Sequence, residues 1–462
     1  MTWKIHQLDA SVPASQWLDR IRHRPWAFLL QSGETAGQRY DILGADPVIT
    51  VETVDGRTRV ADGDDMREVD DPFLTIARII ADRRPAAPCP LDIPFIGGAV
   101  GSFGYELAYR LERIGSPVKD TATLPELEVG IFEWFIVCDR QEATATLVAT
   151  PHVTDLAFRK LKAELTTEAP RPGPFRSTTG IAASFTRATY DRAIERILGY
   201  IHAGDCYQVN LAQRFEAGFE GDPLGLYDAI AKRQNAPYGA CLLTPRNQVM
   251  SFSPERFLRV DDNQVVTQPI KGTRPRGATD AEDSALAAEL AASEKDRAEN
   301  LMIVDLLRND LGRCCRIGSV HVDRLFELKS FPNVHHLVST VTGELRDDLS
   351  PMALLRSCFP GGSITGAPKI RAMQIIRELE PVRRGPYCGA IGYYSYSGNL
   401  DTNLPIRTLV CASGRVRYWG GGGIVADSTP DGEYDESLAK VDFIRAALER
   451  PRRSTSAAES TR

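Results

Sequence analysis

Nowhere does the chain hold the ~20 consecutive apolar residues that a bilayer-spanning helix requires, which argues against a span of that kind. The first residues, Met1 to Trp17, are broken by Lys4, His6, Asp9 and Pro13 and lack the continuous apolar core of a signal peptide. No export is expected, and the protein is expected in the cytoplasm. Excess positive charge is missing too: a net charge of −6 argues against a nucleic-acid backbone as the main partner. The nine cysteines are odd in number and scattered from Cys89 to Cys411 without a C-x-x-C pair, so buried thiols are expected rather than zinc ligands or disulfides. Internal repeats are absent, and the 43% hydrophobic, 25% charged composition is that of an ordinary globular protein. At ~100–200 residues per domain, 462 residues suffice for one large core or two moderate ones. Small molecules and proteins remain as partners.

Residues 168–184 (EAPRPGPFRSTTGIAAS) concentrate Pro, Gly, Ser and Thr, and mark a boundary or a surface crossing. Before it lie β-rich runs at Trp26–Leu30, Val48–Val54, Ile131–Cys138 and Ala143–Ala149, the last two read as a hairpin across Asp139–Glu142, with a helix at Pro72–Asp82. After it helices and strands mix, which favours an α/β or α+β fold with a substantial antiparallel sheet. Thr189 is expected to cap a helix carrying Ala193, Ile194, Ile197, Leu198 and Ile201 that stops at Gly204, with a strand following at Cys206–Leu211. Ser293 and Asp296 form a capping-box pattern that opens a helix through Asp305. A last helix is expected to begin near Gly432 and carry Tyr434, Leu438, Val441, Ile444 and Leu448 on one side. Residues 451–462 read as a disordered tail.

Two acidic pairs, Asp296/Glu299 and Glu433/Glu436, share i,i+3 spacing near the start of a helix, so each pair projects to one face. Acids at a helix N-terminus complement the macrodipole. Four oxygen donors on two helices would also suit Mg²⁺. His335 and His336 are adjacent, point in different directions and do not make a transition-metal site by themselves. Glycines cluster at Gly361–Lys369 and Gly420–Gly423, as turns or as anion cradles. Neither implies a nucleotide: Ala367 stands where a Walker lysine would follow the second glycine, and Gly97–Gly104 does not fit G-x-G-x-x-G. In Gln268–Arg276 (QPIKGTRPR), Lys271 sits between a strand-like run and a Gly/Pro turn. It is either a surface lysine or a nucleophile whose pKa is lowered by desolvation or by the nearby Arg274 and Arg276, which could instead hold an anion.

Together these blocks resemble the chorismate-utilising enzymes. The resemblance covers nearly the whole chain and rests on Gly204–Leu211 (GDCYQVNL), Ser253–Phe257 (SPERF), the Lys271 block, Asp296–Asp305 (DRAENLMIVD), Arg308–Gly312 (RNDLG), Gly361–Lys369 and Gly421–Ser428. It implies an α/β (α+β-like) sandwich of two mainly antiparallel sheets, helices outside and the active site between them. Residues 1–167 would be an N-terminal region of the anthranilate-synthase-component-I type, and 185–450 the chorismate-binding catalytic region. Phe28–Ser32 and Phe95–Gly98 resemble a region that holds tryptophan in some members. By position, Glu299 and Glu436 would bind Mg²⁺ directly, with Asp296 and Glu433 acting partly through water. Arg407, Tyr387, Ser363, His336, Gln208 and the backbone of Gly421 and Gly423 would meet chorismate, and Glu255 would protonate the departing C4 hydroxyl.

Two positions divide the family. Members that add water carry a lysine base where this chain has Gln208, an amide that cannot deprotonate water. Anthranilate synthases usually carry alanine at the Lys271 position, whereas lysine there resembles the members that make 4-amino-4-deoxychorismate for p-aminobenzoate and folate. The resemblance thus implies an aminotransferase in which Lys271 adds covalently at C2 and ammonia then enters at C4. No amidotransferase segment is evident, so ammonia would come from a separate glutamine amidotransferase subunit in a heterodimer. The rivals are formation of anthranilate and pyruvate, and a non-catalytic chorismate-binding subunit.

Overall fold

The computed structural model describes residues 2–33, 39–168, 170–331 and 334–449, and the expected tail at 451–462 lies outside them. Two large sheets of 13 and 12 strands dominate, with antiparallel pairing between neighbouring strands. In the first, Ala27–Gln31 pairs Tyr238–Leu243, and the sheet continues through Gln248–Ser253, Thr408–Ala412 and Arg415–Ile424 to the 14-residue strand Gln208–Gly221. In the second, Ile270–Pro275 pairs Val334–Glu344 at one end, and Gly98–Phe103, Leu127–Phe132 and Ile49–Val54 lie toward the other. Residues from both sides of 168–184 enter both sheets. That segment itself supplies two short strands, Phe175–Ser177 and Ala182–Ala183, on the Gln208–Gly221 edge.

Alternation along the strands of the first sheet feeds two separate cores, as a period of two demands. Phe28, Ile42, Phe135, Val137, Val209 and Leu211 join a large cluster with second-sheet residues such as Val51, Val129, Ile131 and Ile391. Phe28 and Phe132 meet edge to face across it, with centroids 4.6 Å apart. Their neighbours Leu29, Leu43, Trp134 and Ile136 face the other way, against Trp17, Leu161, Tyr227 and Ile444 from covering helices. The sandwich expectation therefore holds, and no helix among the described residues is long and apolar enough to cross a membrane.

Several local expectations change. The run Ile131–Cys138 is two strands, Leu127–Phe132 and Trp134–Asp139, divided at Glu133 and lying in different sheets, and only the second makes the hairpin with Thr144–Ala149. Glu133 is buried against Arg83 at 2.5 Å, which fixes the crossing point. The helix expected from Thr189 is Arg187–His202, and its cap is Thr186, with Thr189 completing the capping box. Gly204 ends it at φ +81°, as its position implied. The single last helix is two, Pro430–Ala439 and Asp442–Leu448, broken at Val441. All nine cysteines are free thiols, seven of them buried.

Candidate active site

A cavity of about 750 Å³ lies where the Gln208–Gly221 and Arg415–Ile424 strands of one sheet approach the Ile270–Pro275 and Val334–Glu344 strands of the other. The helices Glu294–Gly312 and Pro430–Ala439 supply its acidic wall. Ser293 caps the first, accepting from the backbone N–H of Asp296 at 3.2 Å. The reciprocal half of the expected box is replaced by an ion pair, since the Asp296 carboxylate meets Arg274 at 3.3 Å. Thr429 caps the second helix. Two glycines let these helices approach. A side chain on Gly272 would strike Asp296 at 2.9 Å, and one on Gly422 would come within 3.0 Å of Glu433 Oε2 and 3.4 Å of Glu436 Oε1.

Lys271, Glu255, Ser363, Tyr387, Arg407, His336, Gly421, Gly423, Asp296, Glu299, Glu433 and Glu436 all line the cavity. Gln208 does not. It is fully buried on its strand, its amide has no partner at either polar atom among the described residues, and the amide lies over Gly423.

Glu255 follows the Gln248–Ser253 strand and is buried, and burial pushes its carboxyl up to about 7 against the opposing Ser363 bond and the charge of Lys271. Ser363 Oγ donates to Glu255 Oε1 at 2.8 Å. Lys271 Nζ donates to the carbonyl oxygen of the same Ser363 at 3.2 Å. Burial lowers the Lys271 amine, partly offset by Glu299 and Glu255 and reinforced by Lys440. Arg274 and Arg276, candidates either for a field at Lys271 or for holding an anion, are paired with acids instead. Arg274 is engaged by Glu289 at 2.8 Å and by Asp296, and Arg276 by Asp283 at 2.7 Å. Two unforeseen cations stand at the site, Lys440, 2.6 Å from Glu436, and Lys295, which lines the cavity and whose charge acts to lower Glu299, Glu433 and Glu436.

On another wall, Arg407 has φ +52°, a conformation seldom taken by a side chain of this size, and makes no ion pair among the described residues. Burial lowers its pKa. His336 is kept neutral, pushed down to about 3 by burial and the Arg407 charge; Thr273 bonds its Nδ1 at 2.9 Å while its buried Nε2 has no partner among the described residues. Tyr387 is buried and stacks on Trp419, with centroids 6.0 Å apart and planes 7° from parallel. Asn210, not foreseen, also lines the cavity, its buried Oδ1 unpartnered among the described residues.

The acids are only partly compensated. Burial raises Glu299 and Glu433 above the ordinary carboxylate range, with Glu436 adding to each, and Glu433 Oε2 is buried without a partner among the described residues. An all-oxygen donor set with an orphaned carboxylate oxygen fits a hard divalent cation. As the side chains stand, no three His, Cys, Asp or Glu among the described residues close into a metal cluster. Ser428 bonds Glu433 at 2.6 Å, and with Arg274 on Asp296 and Lys440 on Glu436 three of the four acids already have partners.

The model of the chorismate-binding enzymes matches residues 27–446. The chain is 43% identical to "aminodeoxychorismate synthase component 1" of Escherichia coli (strain K12), over 95% of this chain and 96% of that protein. It is 40% identical to "anthranilate synthase component 1" of Thermus thermophilus, over 96% of this chain and 97% of the other. The crystal structure of anthranilate synthase component I from Streptococcus pneumoniae superposes with a TM-score of 0.78 at 31% identity, covering 89% of this chain and 93% of that one.

Proposed function

The chain belongs to the family of chorismate-binding enzymes, and we propose that it aminates chorismate to 4-amino-4-deoxychorismate, the precursor of p-aminobenzoate. The observation that carries this reading is an amine lowered by burial, Lys271, beside a carboxyl group pushed up to about 7, Glu255, in one cavity between the sheets. A buried acid that keeps its proton near neutrality can protonate a leaving hydroxyl, and a desolvated amine can attack carbon.

The two steps balance. The Lys271 nitrogen forms a bond to C2, the two conjugated ring double bonds shift from C1=C2 and C5=C6 to C1=C6 and C4=C5, the C4–O bond breaks, and Glu255 passes its proton so that water departs. Ammonia then bonds to C4, both double bonds shift back, and the C2–N bond breaks with its electrons on Lys271. The new C4 ammonium returns a proton to Glu255, which resets the site. Arg407 is available to pair a substrate carboxylate, and neutral His336 and Tyr387 offer hydrogen bonds without adding charge. Glu299 and Glu436, with Asp296 and Glu433, would hold Mg²⁺, which when bound supplies positive charge against a substrate carboxylate. Ammonia would be delivered by a separate glutamine amidotransferase subunit.

Formation of anthranilate is the second reading, favoured by the 40% identity to an anthranilate synthase component 1. Incubation with chorismate, ammonium and Mg²⁺ decides between them. The expected product becomes p-aminobenzoate only when a lyase is added; fluorescent anthranilate appearing without a lyase overturns the proposal.

A further inference from the structure

The magnesium reading puts a divalent cation at Glu299 and Glu436, and the inference that follows rests on it. A positive charge already stands at one of these acids. Lys440 Nζ lies 2.6 Å from Glu436 Oε1 and 3.0 Å from the carbonyl oxygen of Gly421, both of them oxygens of the kind a hard cation takes. The chain fixes that position in two ways. Lys440 follows Glu436 by four residues, so both face one side, and it is the C-cap of Pro430–Ala439, immediately before the break at Val441.

We propose that Lys440 is an internal rival of the divalent cation, its ammonium holding the Glu436 oxygen in the metal-free protein and withdrawing when a metal is held there. A monovalent and a divalent charge cannot share one carboxylate oxygen without strong repulsion at such separations. Withdrawal is open to it, because the Lys440 side chain is 43% exposed and its four-carbon stem is flexible. Gly422, which leaves the room beside Glu433 and Glu436, puts no side chain in the way. The lysine thus keeps the carboxylate compensated without metal, and weakens metal binding by the cost of its displacement.

Calorimetric titration of Mg²⁺ into substrate-free protein tests this directly, with circular dichroism confirming that each variant is folded. Lys440→Met is expected to bind Mg²⁺ about tenfold more tightly than wild type, and Lys440→Arg, which keeps the charge, much as wild type does. In the Glu436→Gln background the same Lys440→Met change is expected to give no gain, because the contested carboxylate is gone. Wild type and Lys440→Met binding Mg²⁺ equally would overturn the rivalry while leaving the metal site standing. Absence of Mg²⁺ uptake by every variant would instead remove the metal reading, and the rivalry with it.

Discussion

Glu255 and Lys271 meet on a single residue: the Ser363 hydroxyl donates to Glu255 Oε1 at 2.8 Å, and the Ser363 carbonyl accepts from Lys271 Nζ at 3.2 Å. Burial pushes the Glu255 carboxyl up and the Lys271 amine down. Desolvation penalises both charges at once, so burial shifts both groups toward the neutral form, the one the proposed chemistry uses.

That relationship sets a pH dependence. Below about 7 Glu255 carries its proton, and as pH rises through about 7 it ionises and the donor is lost. At constant free ammonia, kcat/KM is expected to fall about tenfold per pH unit above that point. Glu255→Gln should lower kcat by about 10²–10⁴-fold and abolish the falling limb. A wild-type profile that stays level well above neutrality would remove Glu255 from the acid's role.

Glu299→Gln and Glu436→Gln are expected to raise the Mg²⁺ concentration for half-maximal activity by about tenfold or more. The fold should tolerate both. Glu299 is already raised by burial and by its acidic neighbours, so neutralising it relieves repulsion in the metal-free protein. Glu436 loses a half-exposed pair with Lys440 that is worth roughly 0–1 kcal/mol. Metal titration of activity, set beside thermal melts without metal, checks both halves.

Arg407→Met removes a largely enclosed cation that no carboxylate among the described residues compensates. Chorismate KM should rise about 10–100-fold, with kcat changed less, because a charged hydrogen bond to substrate is worth about 1.5–3 kcal/mol. A variant with unchanged KM would leave the arginine a structural part.

A buried pair couples the acidic helix to the Ser363 block. Lys369 Nζ bonds Asp310 Oδ2 at 2.5 Å and the Cys358 carbonyl oxygen at 3.0 Å, with Asp310 only 1% exposed. Asp310→Ala strands the ammonium and is expected to destabilise the protein by about 3–5 kcal/mol, measured by denaturant unfolding.

Much of the site could be read from the chain because local chemistry writes it there. Ser293 before an acidic turn marks a helix start, i,i+3 acids mark a face, and lysine ahead of Gly272 marks a strand that another element can approach. What sequence hid are partners chosen by tertiary packing. Arg274 and Arg276 look free beside Lys271, yet Glu289 and Asp283 claim them, and charge reaches the site from Lys440 and Lys295. The continuous apolar run at Ile131–Cys138 conceals a change of sheet at Glu133, because burial on both sides of a sandwich erases the alternation that would have shown it. Gln208 fits its family block but lies outside the cavity lining, a position set by strand register.

Lys271 divides the readings most sharply. A lysine that merely stabilises charge and one that bonds to the ring both lose rate when changed to alanine, and ammonia attacking directly could preserve part of it. Rate alone is therefore ambiguous. Covalency has its own signature: with chorismate and Mg²⁺ but no ammonia, the first step can run and the second cannot, so the adduct should accumulate. Intact-protein mass spectrometry is expected to show wild type heavier by chorismate less one water, and peptide mapping to place that mass on the fragment containing Lys271. Lys271→Ala should show none, while Glu255→Gln should slow its appearance, because the hydroxyl then leaves without a proton. Wild type that turns over with ammonia yet never carries the adduct, together with a Lys271→Ala variant of full rate, would reduce Lys271 to an electrostatic contributor.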